Sequence, residues 1–330
     1  MTRRTFNHPT ALVCMILIPC LSPGQDFNKG GRTAFQFLKI GVGARQVALG
    51  EACIANVRDV NSAFWDPAGL SGVSFAEASV GYTTLFADLR YYTGAAAVRW
   101  AEVGVFALSY ASLDYGDIPE ALVSGQNGSS DTRTGSTFSG SDLMVGFSFS
   151  REFTDHLSIG GTVKLLREQL FNHSVSLTAF DVGTFYNTGF NEISLAMTAQ
   201  NFAGSVKWLA NSDREEGYDI PLIFRIGTSV SLIGNGNSFI DLGVEHAITV
   251  TFDAVHTNDY AERFHLGAEY TFSDVLTLRG GYKFNYEEGN ASFGVGLQRQ
   301  VSGINVRFDY AFVSFQHLES PHRLTVILGF

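Results

Sequence analysis

Charge is scarce in this chain: 16% of its 330 residues are Asp, Glu, Lys or Arg, against roughly 25% in globular proteins. Proline is scarce too, at 7 residues, which removes the main obstacle to long strands. Cysteine numbers 3, and Cys14 and Cys20 fall in an N-terminal leader, so Cys53 is left without an intrachain disulfide partner. Basic residues are few, 22 against 32 acidic ones. That balance excludes a nucleic-acid partner that must be met by a basic face. Beyond the leader, no segment approaches the roughly 20 unbroken apolar residues of a membrane-spanning helix.

What is abundant is glycine, with 35 residues, phenylalanine with 28 and tyrosine with 12. That mixture suits strands carrying aromatics on one face and small side chains on the other. The leader itself, residues 1–24, places Arg3 and Arg4 before an apolar run from Ala11 to Ile18, with Ser22 and Gly24 ahead of Gln25. This pattern predicts a secretory signal cut after Gly24. A rival reading lipidates Cys20, but Pro19 stands where a small residue is wanted. Cleavage removes two bases and no acid, moving the formal charge from −10 to about −12.

From about Val73 the dominant period is two. Val306, Phe308, Tyr310 and Phe312 alternate with Asn305, Arg307, Asp309 and Ala311. Phe264, Leu266, Ala268, Tyr270 and Phe272 alternate with His265, Gly267, Glu269 and Thr271, and Ile240, Leu242 and Val244 with Asp241, Gly243 and Glu245. About fourteen such strands are predicted, near 73–85, 91–100, 102–112, 140–152, 157–167, 176–187, 192–202, 220–232, 238–249, 263–272, 275–285, 291–300, 304–314 and 322–330. Short turns follow the even strands and longer loops the odd ones, including Asp114 to Ser139 and Gly204 to Asp219. An even number of strands with this asymmetry predicts an all-β chain whose residues 73–330 form an antiparallel outer-membrane barrel, with both termini in the periplasm. A soluble sandwich would turn the same apolar face inward. Strands of about 10 residues match a tilted membrane crossing instead. The end of the chain, Leu324, Val326, Leu328 and Phe330, resembles the C-terminal signal read by barrel-assembly machinery.

If the apolar face meets lipid, the inward charges are Arg99, Lys164, Arg225, Arg279, Lys283 and Arg307 against Asp181, Asp241, Glu245, Glu269 and Asp309. Near-balanced signs in a confined lumen predict pairing across it, not an ion-selective wall. Barrels of this size are narrower than 16-to-18-stranded porins, so a general diffusion pore is not expected. Other motifs fail as sites. Gly41-Val42-Gly43 lacks the rest of a nucleotide fingerprint, and His173-Ser174 has no oriented third group for hydrolysis. No HExxH or tight His cluster predicts a metal. Asp213, Glu215 and Glu216 read as a solvated acidic run in an outer loop. No enzyme activity and no cofactor is expected.

The segment before the strands, residues 25–72, is different in style. It is too broken by glycine for a free helix and too apolar to float in the periplasm. Phe35, Phe37, Leu38, Ile40 and Leu49 are expected to pack into the periplasmic mouth of the barrel, with Arg45 paired to an inward acid and Asp66-Pro67 turning the chain into the first strand.

Phe37-Leu38-Lys39-Ile40, Ala44-Arg45, Leu49-Gly50-Glu51-Ala52 and Trp65-Asp66-Pro67-Ala68-Gly69-Leu70, in this order, resemble the N-terminal signature of the PorV/PorQ family. The resemblance implies a fourteen-stranded barrel similar to the FadL fatty-acid transporters, with a family Asn replaced here by Asp66, which adds charge at that turn. It also implies a non-catalytic role in type IX secretion, with secreted cargo and the translocon as partners alongside outer-membrane lipid. The alternative it carries is a FadL-like transporter of hydrophobic small molecules, using a pocket near the plug and a lateral opening, for which Gly294 and Gly296 mark either a kink or close packing.

A barrel of this kind keeps its wall in detergent. The unboiled protein is expected to migrate differently from the boiled protein on a denaturing gel, and identical migration would overturn the membrane barrel.

Overall fold

The computed structural model of the protein describes residues 31, 33–124, 130–207, 217–234, 238–241, 243 and 245–330. The expected signal peptide, the lipidation alternative at Cys20, the acids Asp213, Glu215 and Glu216, and Leu242 and Val244 lie outside the described residues.

Seventeen strands follow in chain order: β1 (Ala76–Thr84), β2 (Arg90–Trp100), β3 (Gly104–Asp114), β4 (Ile118–Ser124), β5 (Ser130–Phe138), β6 (Gly140–Glu152), β7 (Leu157–Leu170), β8 (His173–Asn187), β9 (Ser194–Phe202), β10 (Ile223–Gly234), β11 (Ile240–Asp241), β12 (His246–Thr257), β13 (Arg263–Phe272), β14 (Leu276–Phe284), β15 (Ala291–Val301), β16 (Ile304–Ser314) and β17 (His322–Gly329). β4 and β5 pair only with each other, as a hairpin in the β3–β6 connection. β11 adds a two-residue parallel bridge to β10. The other fourteen form one antiparallel wall, which closes where β1 pairs with β17 from Glu77↔Gly329 to Thr84↔His322. No helix is long and apolar enough to cross a membrane among the described residues.

Alternation decides which way each side chain points, and here the usual polarity is inverted. Leu108, Phe147, Leu165, Met197, Ile226, Phe252, Phe293 and Leu297 are exposed on the outside, while Thr162, Lys164, Asp181, Thr251, Asp253, Arg279 and Asp309 are buried within. Such a surface is stable only against lipid, which accepts the apolar face while each wall strand finds a partner on both sides over most of its length.

The connections are less regular than the sequence suggests. Ser273–Val275 and Ser302–Gly303 are tight, as expected, but on the opposite side only Phe171 and Asn172 join β7 to β8. His173 and Ser174 therefore begin a strand and not a loop. The strand expected over 238–249 is displaced to His246–Thr257. Asp241 and Glu245 are exposed in the connection before it and are not lumen charges; the period-two pattern simply runs on past the strand's end.

The larger departure concerns the N-terminal segment. It does not stop at the mouth where β1 begins. Thr33 pairs in parallel with Asp219, and the Ala34 amide donates to the Asp219 carbonyl at 2.9 Å. Phe35 donates its amide to Glu168 near the far end of β7 at 2.7 Å. Phe35 and Phe37 are buried with Tyr91, Leu113, Met144 and Leu166, and Leu38 and Ile40 pack against that cluster. All four thus occupy the long-loop half, opposite the end predicted, and Leu49, expected with them, lies inside the lumen against Gly267 of β13 and Gly281 of β14. From there the chain descends through helix α1 (Ala44–Ala48), the short helix α2 (Ser62–Trp65) and a 3₁₀ turn over Pro67–Gly72, reaching β1 at the short-turn end. Phe330 also lies there, its amide donating to the Ala76 carbonyl at 2.9 Å. The described chain therefore begins and ends at opposite ends of the barrel, because the segment threads the whole lumen.

Glycines admit it. A Cβ on Gly281 of β14 would sit 2.0 Å from the Gly50 nitrogen, and one on Gly160 of β7 would sit 2.4 Å from the Pro67 carbonyl carbon. Gly294 faces Ala48 and Gly296 faces the Arg279–Asp309 pair, and the β15–β16 register is unbroken, so these two mark close packing and not a kink.

Backbone against backbone leaves no flexible group to yield at Gly281. Gly281→Val is expected to lower the Tm, at a cost of roughly 1–3 kcal/mol for overpacking, while the gel shift of the barrel persists. An unchanged Tm would refute the contact.

Candidate functional site

The Phe37–Leu70 segment carries few charges for its length, and each but Asp66 meets a charged partner. Lys39 reaches Asp259 at 2.6 Å and lies over the Tyr260 ring. Arg45 meets Glu269 of β13 through two nitrogens, both at 3.0 Å. Glu51 takes Lys283 of β14 at 3.0 Å. Arg58 approaches Glu152 at 4.0 Å and stacks over Phe185. Asp59 accepts from Arg307 of β16.

Several of these pairs join into one ring. Glu269 also binds Arg279, Arg279 reaches Asp309 at 2.7 Å, Asp309 binds Arg307 at 3.1 Å, and Asp59 closes the circuit to Arg45 at 3.8 Å. Three arginines and three carboxylates alternate, two from the threaded segment and four from the wall. Arg99, Lys164 and Lys283 are likewise occupied: Arg99 donates to the Val73 and Ser71 carbonyls, and Lys164 lies 2.6 Å from Asp181 and 3.0 Å from the Asn201 amide oxygen. Backbone ties complete the docking. The Ala44 amide donates to Thr325 at 2.9 Å, the Gly50 amide to Ser292 at 3.0 Å, and the Cys53 and Ile54 amides both to Asp253.

Burial pushes the Glu51 carboxyl up, but the charges of Lys283, His265 and Arg225 outweigh it and hold it down at about 2. Asp66 is the contrary case. One oxygen accepts from the Ala68 amide at 3.0 Å, capping the Pro67–Gly72 turn, and the other has no partner. Burial raises its carboxyl well above the ordinary carboxylate range, with Asp253 adding to the effect. Burial thus works against the charge that Asp66 was expected to bring to this turn.

Among the described residues, a small chamber lies in the long-loop half of the filled lumen. It holds about 30 Å³ and is lined by Leu38, Phe64, Trp65, Tyr91, Met144 and Arg225, among others. A water fits there and little more. The chamber lies beside an irregular stretch of the wall. At Asp181 the β8–β9 register slips, Asn201 opposite has φ 64°, and β9 ends at Phe202 while β8 runs on to His173. Residues 173–179 of β8 pair with β7 and, among the described residues, with nothing on the other side.

Sequence reading missed Glu51, Asp59, Asp253 and Trp65 as docking residues. A signal existed for the first two, since each charge in an apolar segment needs a partner when buried. None existed for Asp253, whose two accepted amides come from a segment 200 residues away.

No family model matches the chain and no curated protein does, so the PorV/PorQ resemblance stays with the motifs of the opening segment. Solved structures do match. The toluene transporter TbuX of Ralstonia pickettii superposes with a TM-score of 0.58 over 87% of this chain and 97% of its own, at 11% identity. The toluene transporter TodX of Pseudomonas putida gives 0.58 over 87% and 97%, at 12% identity. A FadL homologue from Pseudomonas aeruginosa gives 0.55 over 88% and 98%, at 11% identity. The chain thus has the fold of FadL-like outer-membrane barrels.

A carboxyl whose folded pKa is raised contributes fully below its unfolded value, about 4, and loses that contribution as the pH climbs through the folded one. Asp66→Asn keeps the acceptor without the proton. The Tm values of wild type and Asp66→Asn are expected to lie closest near pH 4 and to separate as the pH rises, in favour of the variant. A constant gap between pH 4 and 8 would show that Asp66 is ionised.

Proposed function

We propose that this protein passes hydrophobic small molecules across the outer membrane, with the threaded N-terminal segment as its gate. One observation carries the reading. The segment fills the lumen of a closed barrel along its whole length, with a chamber of about 30 Å³ where Leu38, Phe64, Trp65, Tyr91 and Met144 stand beside Lys39, Lys164 and Arg225. No solute larger than water passes such a lumen at rest, so traffic requires the segment to yield. Its polar ties are ion pairs and hydrogen bonds to separate strands, contacts that exchange partners without unfolding the wall.

Two of the structural neighbours are toluene transporters by name, and a third is a monoaromatic hydrocarbon channel. Their solutes are apolar and small, and an apolar chamber beside a break in strand pairing offers such a molecule a route from the lumen towards lipid. Secretion of type IX cargo, implied by the N-terminal motifs, draws no comparable support from the architecture.

The gate is testable with a disulfide. In a Cys53→Ala background, Thr33→Cys with Asp219→Cys spans the parallel bridge that ties the long-loop end of the segment to the β9–β10 connection. Proteoliposomes holding the reduced protein are expected to take up toluene faster than empty ones, and oxidation is expected to cut that uptake about tenfold, reversibly with dithiothreitol. Uptake equal to empty vesicles removes the transport reading. If a deletion strain keeps its hydrocarbon uptake but retains exported cargo in the periplasm, secretion is the function.

A further inference from the structure

The chamber is apolar in shape but not in charge. Three cations line it, Lys39, Lys164 and Arg225, and two of them are fully engaged. Lys39 is held by Asp259 at 2.6 Å and Lys164 by Asp181 at 2.6 Å and Asn201 at 3.0 Å. The amides are engaged as well, Gln200 donating to the Phe64 carbonyl and Asn201 to the Pro221 carbonyl, both at 2.9 Å.

Arg225 is not. It is 7% exposed, yet its Nε and Nη1 meet no acceptor. Its nearest acid is Glu51, 4.0 Å from the third nitrogen, beyond hydrogen-bond reach and already bound by Lys283 at 3.0 Å. Asp253, two residues along the neighbouring register, turns one oxygen to the Cys53 and Ile54 amides and makes no ion pair with Arg225. The guanidinium plane instead rests over the Trp65 ring at 4.9 Å. A buried guanidinium with two unmet donors is costly unless something supplies the acceptor.

We infer that Arg225 is the specificity-determining residue of the passage and that it selects a small aromatic carboxylate, the carboxylate meeting its free N–H groups and the ring lying among Phe64, Trp65 and Tyr91. The inference rests on the gated-transport reading and narrows it. The aromatic lining favours a ring over a flexible chain. The small volume, about 30 Å³, favours one ring over a long tail. The ion pairing of Lys39 and Lys164 leaves a single surplus positive charge, which matches one carboxylate. Arg323 of β17 also has Nε and Nη1 unmet, but it does not line the chamber.

The test uses full-length protein in proteoliposomes at pH 7 with radiolabelled benzoate, decanoate and toluene. Wild type is expected to take up benzoate about tenfold faster than Arg225→Met, with Arg225→Lys between them, Arg323→Met equal to wild type, and toluene uptake the same in all four. The gel shift of each variant verifies an intact barrel. Equal benzoate uptake by wild type and Arg225→Met overturns the inference, and so does decanoate entering wild type as fast as benzoate. Toluene entering while benzoate does not refutes the inference alone. If neither enters, the transport reading itself has failed.

Discussion

Charge confined inside a low-dielectric wall must be paired, and in this barrel the pairing is what fixes the threaded segment in place. The ring Arg45, Glu269, Arg279, Asp309, Arg307 and Asp59 has no spare member. Removing one side chain strands another in a buried site, and such losses cost about 3–5 kcal/mol. Because two members come from the segment and four from β13, β14 and β16, the ring also sets the segment's height along the barrel axis. Gly50 then falls against Gly281 and Ala48 against Gly294. Shifting the segment by one residue would drive a side chain into backbone at either point.

The wall was legible because its signal is local. A residue's parity along a strand states whether it meets lipid or lumen, and this places Arg99, Lys164, Asp181, Arg225, Glu269, Arg279, Lys283, Arg307 and Asp309 inside from sequence alone. Parity does not mark where a strand stops. Asp241 and Glu245 keep the alternation of their apolar neighbours but precede the wall strand, which begins at His246. The height of the segment was illegible for a different reason. The first strand starts at the short-turn end, so the nearest mouth looked like the packing site for Phe35, Phe37, Leu38 and Ile40. Yet roughly forty residues, even partly helical, reach well beyond the thickness of a bilayer. What holds the far end is Asp219, Glu168 and Asp259, contacts across more than a hundred residues of sequence that no spacing rule foretells.

Asp66 and Arg225 show how one buried environment resolves two unmatched polar groups differently. A carboxyl can give up its charge by taking a proton, and burial pushes Asp66 in that direction while its turn keeps the bond from the Ala68 amide. An arginine cannot. Arg225 must therefore keep its charge in a site that offers it a ring face and a distant, shared carboxylate.

That asymmetry bears on how the gate would open. Glu51 is the group of the segment that faces both Lys283 and Arg225, at 3.0 and 4.0 Å. On the proposed reading, an anion arriving at Arg225 takes over the weaker of those two interactions and leaves the stronger, whereas an uncharged solute needs only the yielding of Leu38–Val42 and leaves both in place. Trp65, held over the guanidinium on one side and by the Val42 carbonyl at 2.9 Å on the other, links the same event to Leu38–Val42, the stretch that closes the chamber. The ionic ring lies further along the segment and is untouched by this exchange. Opening then needs no loss of the ring: the long-loop half of the segment yields while the half anchored by Arg45 and Asp59 stays docked, and the wall never has to accommodate an unpaired charge.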